Sequence, residues 1–346
     1  MDDYDLGVVV SVTSLVMAMA QDNLDAFSVC YQKAVDRLQK ASHPQILMNT
    51  RLIPLKLVID REYPATYAYY RVPCPWLQMK LLRLLQYYPP SSKRLTFNDQ
   101  TNLNEIYLVD PTILEILNNV LKAILNNSVE VASNVQQNNA QNAVLFEAIG
   151  LAIHLDSSSP LVLDAAELLA RFISSKETNV RYLGLDTMAH LAARSDTLYP
   201  IKQHQATIIN SLRDKDVSVR RRALDLLYSM CDSDNAEIIV EELLRYLKVA
   251  DYGLREEMVL KIAISTEKFA TSYKWYIDTI LQLISTAGEH VGEEVWYRVV
   301  QITTNTEDLQ AYAARAVFEH LKSPTAHESL IKIAGMRKLN ICEVFC

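Results

Sequence analysis

The residues with the most chemical potential are Arg220-Arg221-Arg222, with Arg213 and Lys215 close by. Clustered guanidinium groups bind phosphates and acidic lipid headgroups by charge-assisted, often two-pronged hydrogen bonds. Asp214, Asp216 and Asp225 are interleaved with them and dilute the field. The balance favours a structural job for Arg220, pairing with turn acids of its own or the next repeat. Arg221 and Arg222 are left on an outer face as weak candidates for a lipid headgroup. Trp275, Tyr276, Trp296 and Tyr297 could form a binding platform, but their helical spacing favours packing between repeats.

Other chemistries lack their residues. The 7 histidines are scattered, and His320 and His327 have no third ligand nearby. The acidic pairs Glu256/Glu257 and Glu293/Glu294 are adjacent, so on a helix they point in different directions. No glycine-rich phosphate loop, Gly-x-Ser-x-Gly elbow, His-Glu-x-x-His or Cys-x-x-Cys occurs. The expectation is therefore no catalytic residues, no cofactor and no metal. Of the 5 cysteines only Cys342 and Cys346 are close, and free thiols in a reducing compartment are expected.

The elements that carry the arginines repeat. In Lys202–Ala270 a helix ends near Arg213, a polar turn follows, and Asp214 and Asp216 are placed to cap the next helix. That helix has Val219, Ala223, Leu224 and Leu227 on one side. Thr178–Leu185 upstream and Asp251–Met258 downstream match this unit, and Gly292–Val300 is a looser copy. Arg181, Arg220, Arg255 and Arg298 are spaced 39, 35 and 43 residues apart. Two helices in a period of roughly 40 residues mark HEAT or armadillo-type arrays. The predicted fold is all-α, a HEAT/armadillo-like α-α superhelical solenoid, with Arg181, Asp214, Arg220, Arg255 and Arg298 as an inter-repeat ladder.

Composition agrees. Half of the 346 residues are hydrophobic and only 7 are glycine, which suits helices with short links better than the tight turns of an α/β enzyme. A net charge of −7 gives no pull toward nucleic acid. Leu6–Ala20 is strongly apolar but too short to span a membrane, and its acidic leader is unlike a signal peptide.

Helices are expected at Leu6–Ala20, Asn23–Gln39, Trp76–Tyr88, Pro111–Asn126 and Asn142–Leu155. In the third, Trp76, Leu77, Leu81, Leu84, Leu85 and Tyr88 should face inward, with Lys80 and Arg83 nearer solvent. Ala41–Tyr70 reads as an irregular linker, Ser91–Asp110 as a loop, and the Asn- and Gln-rich Ser128–Gln141 as another. From Leu161 the pairing becomes regular. The expected pairs are Leu161–Ser174 with Asn179–Ala193, Ile201–Leu212 with Val217–Cys231, and Ala236–Val249 with Gly253–Phe269. Tyr273–Ala287 with Glu293–Thr303, and Asp308–Leu321 with Ala326–Ile333, complete the set. No strand is expected.

Several segments together resemble a known family. Val72–Pro90, reading Val-Pro-Cys-Pro-Trp-Leu-Gln-Met-Lys-Leu-Leu-Arg-Leu-Leu-Gln-Tyr-Tyr-Pro-Pro, looks like the alpha-adaptin trunk. Asn142–Ala148, Ser218–Cys231 and Glu293–Val299 continue the match, which covers most of the chain and looks fungal. The resemblance implies a structural, non-catalytic subunit of the plasma-membrane clathrin adaptor. It implies assembly with beta, mu and sigma subunits, indirect engagement of clathrin and cargo, and peripheral association with the cytoplasmic face of the plasma membrane at coated pits. Residues 1–335 would be a partial trunk lacking the family's N-terminal repeats, with 41–70 and 91–110 fitting poorly and 336–346 an atypical tail. The hinge and appendage of the family have no counterpart. Another HEAT-repeat scaffold, such as a coatomer subunit or a transport receptor, is the alternative.

Overall fold

The computed structural model describes residues 3, 5–27, 29–48, 67–88, 111–127, 134–156, 159–194, 198–323 and 326–335. The expected loop at Ser91–Asp110, the tail 336–346 and most of the expected linker lie outside the described residues. The chain forms two compact units, Met1–Gln203 and His204–Cys346. Each is built from helices that pack on their neighbours in sequence, the α-α arrangement of a HEAT/armadillo-like solenoid.

In the first unit, α1 (Leu6–Asp22) is capped by Asp5, whose carboxylate accepts from the N–H groups of Gly7 and Val8. A 3-10 turn at Asp25–Phe27 leads into α2 (Cys30–Met48). The hairpin strands β1 (Ala68–Tyr69) and β2 (Val72–Pro73) precede α3 (Pro75–Leu85). Then come α4 (Pro111–Asn127), α5 (Val135–Leu155), α6 (Pro160–Ile173), α7 (Thr178–Arg194) and the short α8 (Tyr199–Lys202). α1 and α2 both pack on α3, α2 also packs on α4, and α5 packs on α3, α4, α6 and α7. Leu77, Leu81, Leu82, Leu84 and Leu85 of α3 are all buried and form the centre of this core. Burying such a side chain is worth about 1.5–3 kcal/mol. Gly184 of α7 permits a close crossing on α6: a Cβ there would stand 3.2 Å from the backbone nitrogen of Ile173.

In the second unit, α9 (Gln205–Ser211) pairs with α10 (Val217–Ser229), and α11 (Ala236–Leu247) with α12 (Tyr252–Phe269). α13 (Tyr273–Ala287) packs on α14 (Glu293–Asn305), α15 (Glu307–Leu321) and α16 (Glu328–Ala334). The α10 stripe of Val219, Ala223, Leu224 and Leu227 is fully buried, as its spacing predicts. The turn after α10 is held by the buried Asn235. Its amide donates to the Met230 carbonyl at 3.0 Å and accepts from the Asp232 N–H at 2.8 Å.

Five expectations need correction. α2 runs on to Met48, through part of the expected linker; Ala41 is buried, and packing on α3 and α4 carries the helix past Pro44. α5 begins at Val135 within the expected Asn/Gln loop, because the Asn134 side chain caps it by accepting from the Gln136 and Gln137 N–H groups. Polar residues on the outer turns of a helix that is buried further along need no core of their own. The expected helix Ile201–Leu212 is two pieces, α8 and α9, broken at Gln203–His204. The polar run Lys202–Gln205 there offers no apolar face to hold one helix together. A small hairpin also exists, with Ala68 opposite Pro73 and Tyr69 opposite Val72. Its turn residues Tyr70 and Arg71 both have positive φ, a conformation tight hairpins favour but which sequence reading assigns to Gly, Asn or Asp. Trp76 does not face inward: it is 51% exposed, and its ring meets Tyr69 edge-on at 4.9 Å.

Candidate functional site

The arginines at the repeat turns share a construction. Arg181, Arg220 and Arg255 are each the fourth residue of their helices, α7, α10 and α12. From that position the guanidinium folds back over the helix start to carbonyls of the turn before it. Arg181 donates to the carbonyls of Ser175 (3.1 Å) and Lys176 (2.9 Å), and to the Thr178 hydroxyl (3.2 Å). Arg220 donates to those of Asp214 (2.6 Å) and Lys215 (3.0 Å). Arg255 donates through Nε to the Ala250 carbonyl (3.0 Å). Carbonyls of the turn between two helices thus meet a fixed cation from the start of the second.

Arg298 is placed differently. It is the sixth residue of α14, where Trp296 holds the fourth position. Two residues rotate a helical side chain by about 200°. Arg298 is 49% exposed and meets Glu267 of α12 at 3.3 Å and Gln301 of its own helix at 3.3 Å. It grips no turn carbonyl.

Asp214 and Asp216 divide the work of the turn before α10. Asp216 is the cap, accepting from the N–H groups of Ser218 (2.8 Å) and Val219 (3.4 Å). Asp214 instead accepts the Asp216 N–H at 2.9 Å and shapes the turn. Arg220 also ion-pairs with Asp251, the residue before α12, so one side chain ties its own turn to the turn of the next helix pair. The Arg220 side chain is only 14% exposed, and its Nε is buried without a partner.

Arg220 and Asp251 line one wall of a cleft of about 470 Å³ shared with Leu212, Arg213, Tyr246 and Val249. Burial raises the Tyr246 hydroxyl above its ordinary pKa of 10.0, the nearby Asp251 adds to this, and Arg220 opposes it. Arg245, also on the cleft, is engaged by Glu241 and Glu242 of its own helix.

The two remaining arginines of the cluster belong to a charge network between α10 and α12. Arg221 meets Glu257 at 3.3 Å and Arg222 meets Asp225 at 3.5 Å. Lys261 ion-pairs with both Asp225 and Glu257. Each cation thus has a carboxylate beside it. Among the aromatics, Tyr276 and Trp296 are buried while Tyr297 is exposed, so they do not share one platform.

The histidines do not converge. His327 caps α16, while His320 of α15 meets the Ser285 hydroxyl of α13 at 2.8 Å. Asp278, near His320, accepts the Tyr312 hydroxyl, and Ser285 also donates to the Leu281 carbonyl. Among the described residues no group of three or more His, Cys, Asp or Glu could hold a metal ion. No helix is long and apolar enough to cross a membrane among those residues.

Sequence reading missed the partners of these side chains, though a signal existed. Arg220 and Asp251 are 31 residues apart, Lys261 and Asp225 36, Thr271 and Glu237 34, Ser285 and His320 35, and Tyr312 and Asp278 34. Polar cross-links fall close to one repeat apart, so the period that locates the helices also locates their polar pairs.

Stacked helix pairs, arginine-clamped turns and charge networks between neighbouring helices define a helical-repeat scaffold. The chain belongs to the adaptin N-terminal family: the family model described as "Adaptin N terminal region" matches residues 1–335. It is similar to the AP-2 complex subunit alpha-2 of Dictyostelium discoideum, 44% identical over 97% of this chain and 31% of that protein. It is 43% identical to the AP-2 complex subunit alpha-1 of Arabidopsis thaliana, over 97% of this chain and 30% of that one. Identity to the AP-2 complex subunit alpha of Schizosaccharomyces pombe is 37%, over 96% and 34%. The chain spans about a third of the length of these relatives.

Proposed function

We propose that this chain acts as trunk of an alpha-type large subunit in a clathrin adaptor complex, a non-catalytic scaffold for endocytic vesicle formation and intracellular protein transport. The observation that carries the reading is the likeness to AP-2 alpha subunits along nearly the whole chain, at 44% identity in the first case. In this reading residues 1–335 are the trunk and 336–346 an atypical tail. The partners are beta, mu and sigma subunits, with clathrin and cargo reached through the complex. The location is the cytosol and the cytoplasmic face of the plasma membrane at coated pits, by peripheral association.

Arg220 serves this role by tying the turn of one helix pair to the next through Asp251, while Arg181, Asp214 and Arg255 fix the turns within their own pairs, which a scaffold must hold while partners press on it. Arg298 serves it by joining α12 to α14 through Glu267. Arg221 and Arg222 stiffen the α10–α12 face in preference to binding lipid headgroups, since carboxylates already neutralise them.

The test is affinity capture with the full chain as bait, after circular dichroism and a cooperative melt show that it is folded. Recovery of beta, mu and sigma adaptor subunits is expected. A folded bait that recovers none of them overturns the reading.

A further inference from the structure

We propose that His154 is a pH-sensitive latch within the first unit, holding the end of α7 to α5 only while its ring is neutral. The ring lies in the last turn of α5. Its Nε2 is 2.6 Å from the carbonyl oxygen of Tyr88, and its Nδ1 is 3.0 Å from an Nη of Arg194, in the last turn of α7. A carbonyl can only accept a hydrogen bond and a guanidinium can only donate one. A single species satisfies both contacts: the neutral imidazole with its proton on Nε2 and its lone pair on Nδ1.

The other end of the latch is fixed. Tyr88 is buried, its hydroxyl donates to the Phe27 carbonyl at 2.7 Å, and its ring meets Tyr31 edge-on at 5.2 Å. His154 therefore links Arg194, an exposed residue, to a buried post.

Protonation places a hydrogen on Nδ1, where an Arg194 N–H already points. Two donors and two positive charges then face each other, and Arg194 must turn out to water. The Tyr88 contact survives, because Nε2 carries its proton in both forms. Among the described residues, burial, the Tyr88 carbonyl and Arg194 are what act on the ring, with no carboxylate among them. On α3, Arg83 is turned to Glu147 of α5, and just beyond that helix the Tyr87 hydroxyl accepts from Gln21. On α7, Asp186 lies near His190. Neither α4 nor α6 brings a described hydrogen bond or ion pair to the ring. The helix end itself favours the imidazolium, as does the Tyr88 carbonyl. Burial opposes it first and Arg194 second, and the net effect is a pKa below the ordinary 6.5. The latch is closed above the ordinary histidine range and opens as pH falls through the depressed value.

The test is amide hydrogen exchange on the full chain at pH 7.5 and 5.0, corrected for intrinsic rates, with α13 as internal reference. Wild type should lose about five-fold protection over Leu191–Arg194 at the lower pH, relative to α13. His154→Gln carries an amide able to donate to Tyr88 and accept from Arg194 without titrating, and should show no such pH dependence. Arg194→Gln, an exposed change that leaves the core intact, should also remove the response, with low protection at both pH values. A proton NMR titration of the wild-type ring should give a midpoint below 6.5. An equal pH response in wild type and His154→Gln overturns the proposal. So does a midpoint above 6.5, or, where His154→Gln does not fold, an undiminished response in Arg194→Gln.

Discussion

Arg220 of α10 reaches Asp251, the residue before α12, while its other guanidinium nitrogen holds the carbonyls of Asp214 and Lys215. One side chain thereby closes the turn of its own helix pair and fastens it to the turn of the next. Hydrogen bonds from charged groups contribute about 1.5–3 kcal/mol where solvent is excluded. Arg220→Ala should therefore destabilise the fold by about 2–3 kcal/mol. For a domain of this size that is a melting temperature lower by roughly 4–10 °C, read by circular dichroism. Arg220→Lys should recover less than half, because an ammonium lacks the fork that serves turn and carboxylate together.

Arg298→Ala should behave differently. Its partners are exposed, and such pairs are worth about 0–1 kcal/mol. A loss as large as that of Arg220→Ala would mean that ladder membership, and not helix position, decides the energy.

The Arg221/Arg222 double alanine variant tests the lipid alternative. Binding to vesicles containing anionic phosphoinositides should change by less than two-fold, because Glu257 and Asp225 already offset these charges. A ten-fold loss of binding at unchanged melting temperature would assign the pair to lipid.

Cys74 and Cys231 are buried, and desolvation pushes both thiols up to about 11. At pH 8 the reactive thiolate is then about one part in a thousand. Iodoacetamide labelling followed by mass spectrometry should leave both unmodified in the folded chain and modify both in guanidinium. Raising the pH toward 11 should increase the labelling rate before any loss of helicity. Rapid labelling of either at pH 7 in folded protein would contradict the burial.

On α1, Val8, Leu15 and Met19 are exposed along one side, with Leu15 at 59%. Contiguous apolar surface of this kind promotes association. Leu15→Glu should shift the chain toward monomer in size-exclusion chromatography with light scattering, and cost less than about 0.5 kcal/mol of stability, since the side chain is not in the core. Identical elution of wild type and variant would show that this face does not drive association.

Much of the fold was legible because burial imposes a period. The α10 stripe, the α13 limits and the recurrence of Arg181, Arg220 and Arg255 all follow from residues that must face a core or a turn at fixed intervals. What was not legible depends on where a helix starts, to within a residue or two. Arg298 looks like the other arginines in spacing, yet the fourth position of its helix belongs to Trp296. Trp76 is apolar and sits in an apolar stretch, but falls between the buried Pro75 and Leu77 on the outward side of α3. The Asn/Gln tract before Gln141 has no core of its own and becomes helical because Asn134 caps it and Val144 onward is buried. The partner of Arg220 could have been sought one repeat ahead, but which of the acids there would meet it depends on the angle between helix pairs.

The clamps at Arg181, Arg220 and Arg255 bear on how the chain acquires its structure. Every carbonyl they hold lies five or six residues upstream of the arginine itself. Closing such a loop is fast and costs little chain entropy. Each turn can therefore set as it leaves the ribosome, before the next helix exists to pack against it, and the array can grow in the direction of translation instead of waiting for its far end. Ribosome-stalled chains just long enough for Arg220 to clear the exit tunnel should already resist proteolysis at the Asp214–Asp216 turn, and the same chains carrying Arg220→Ala should be cut there.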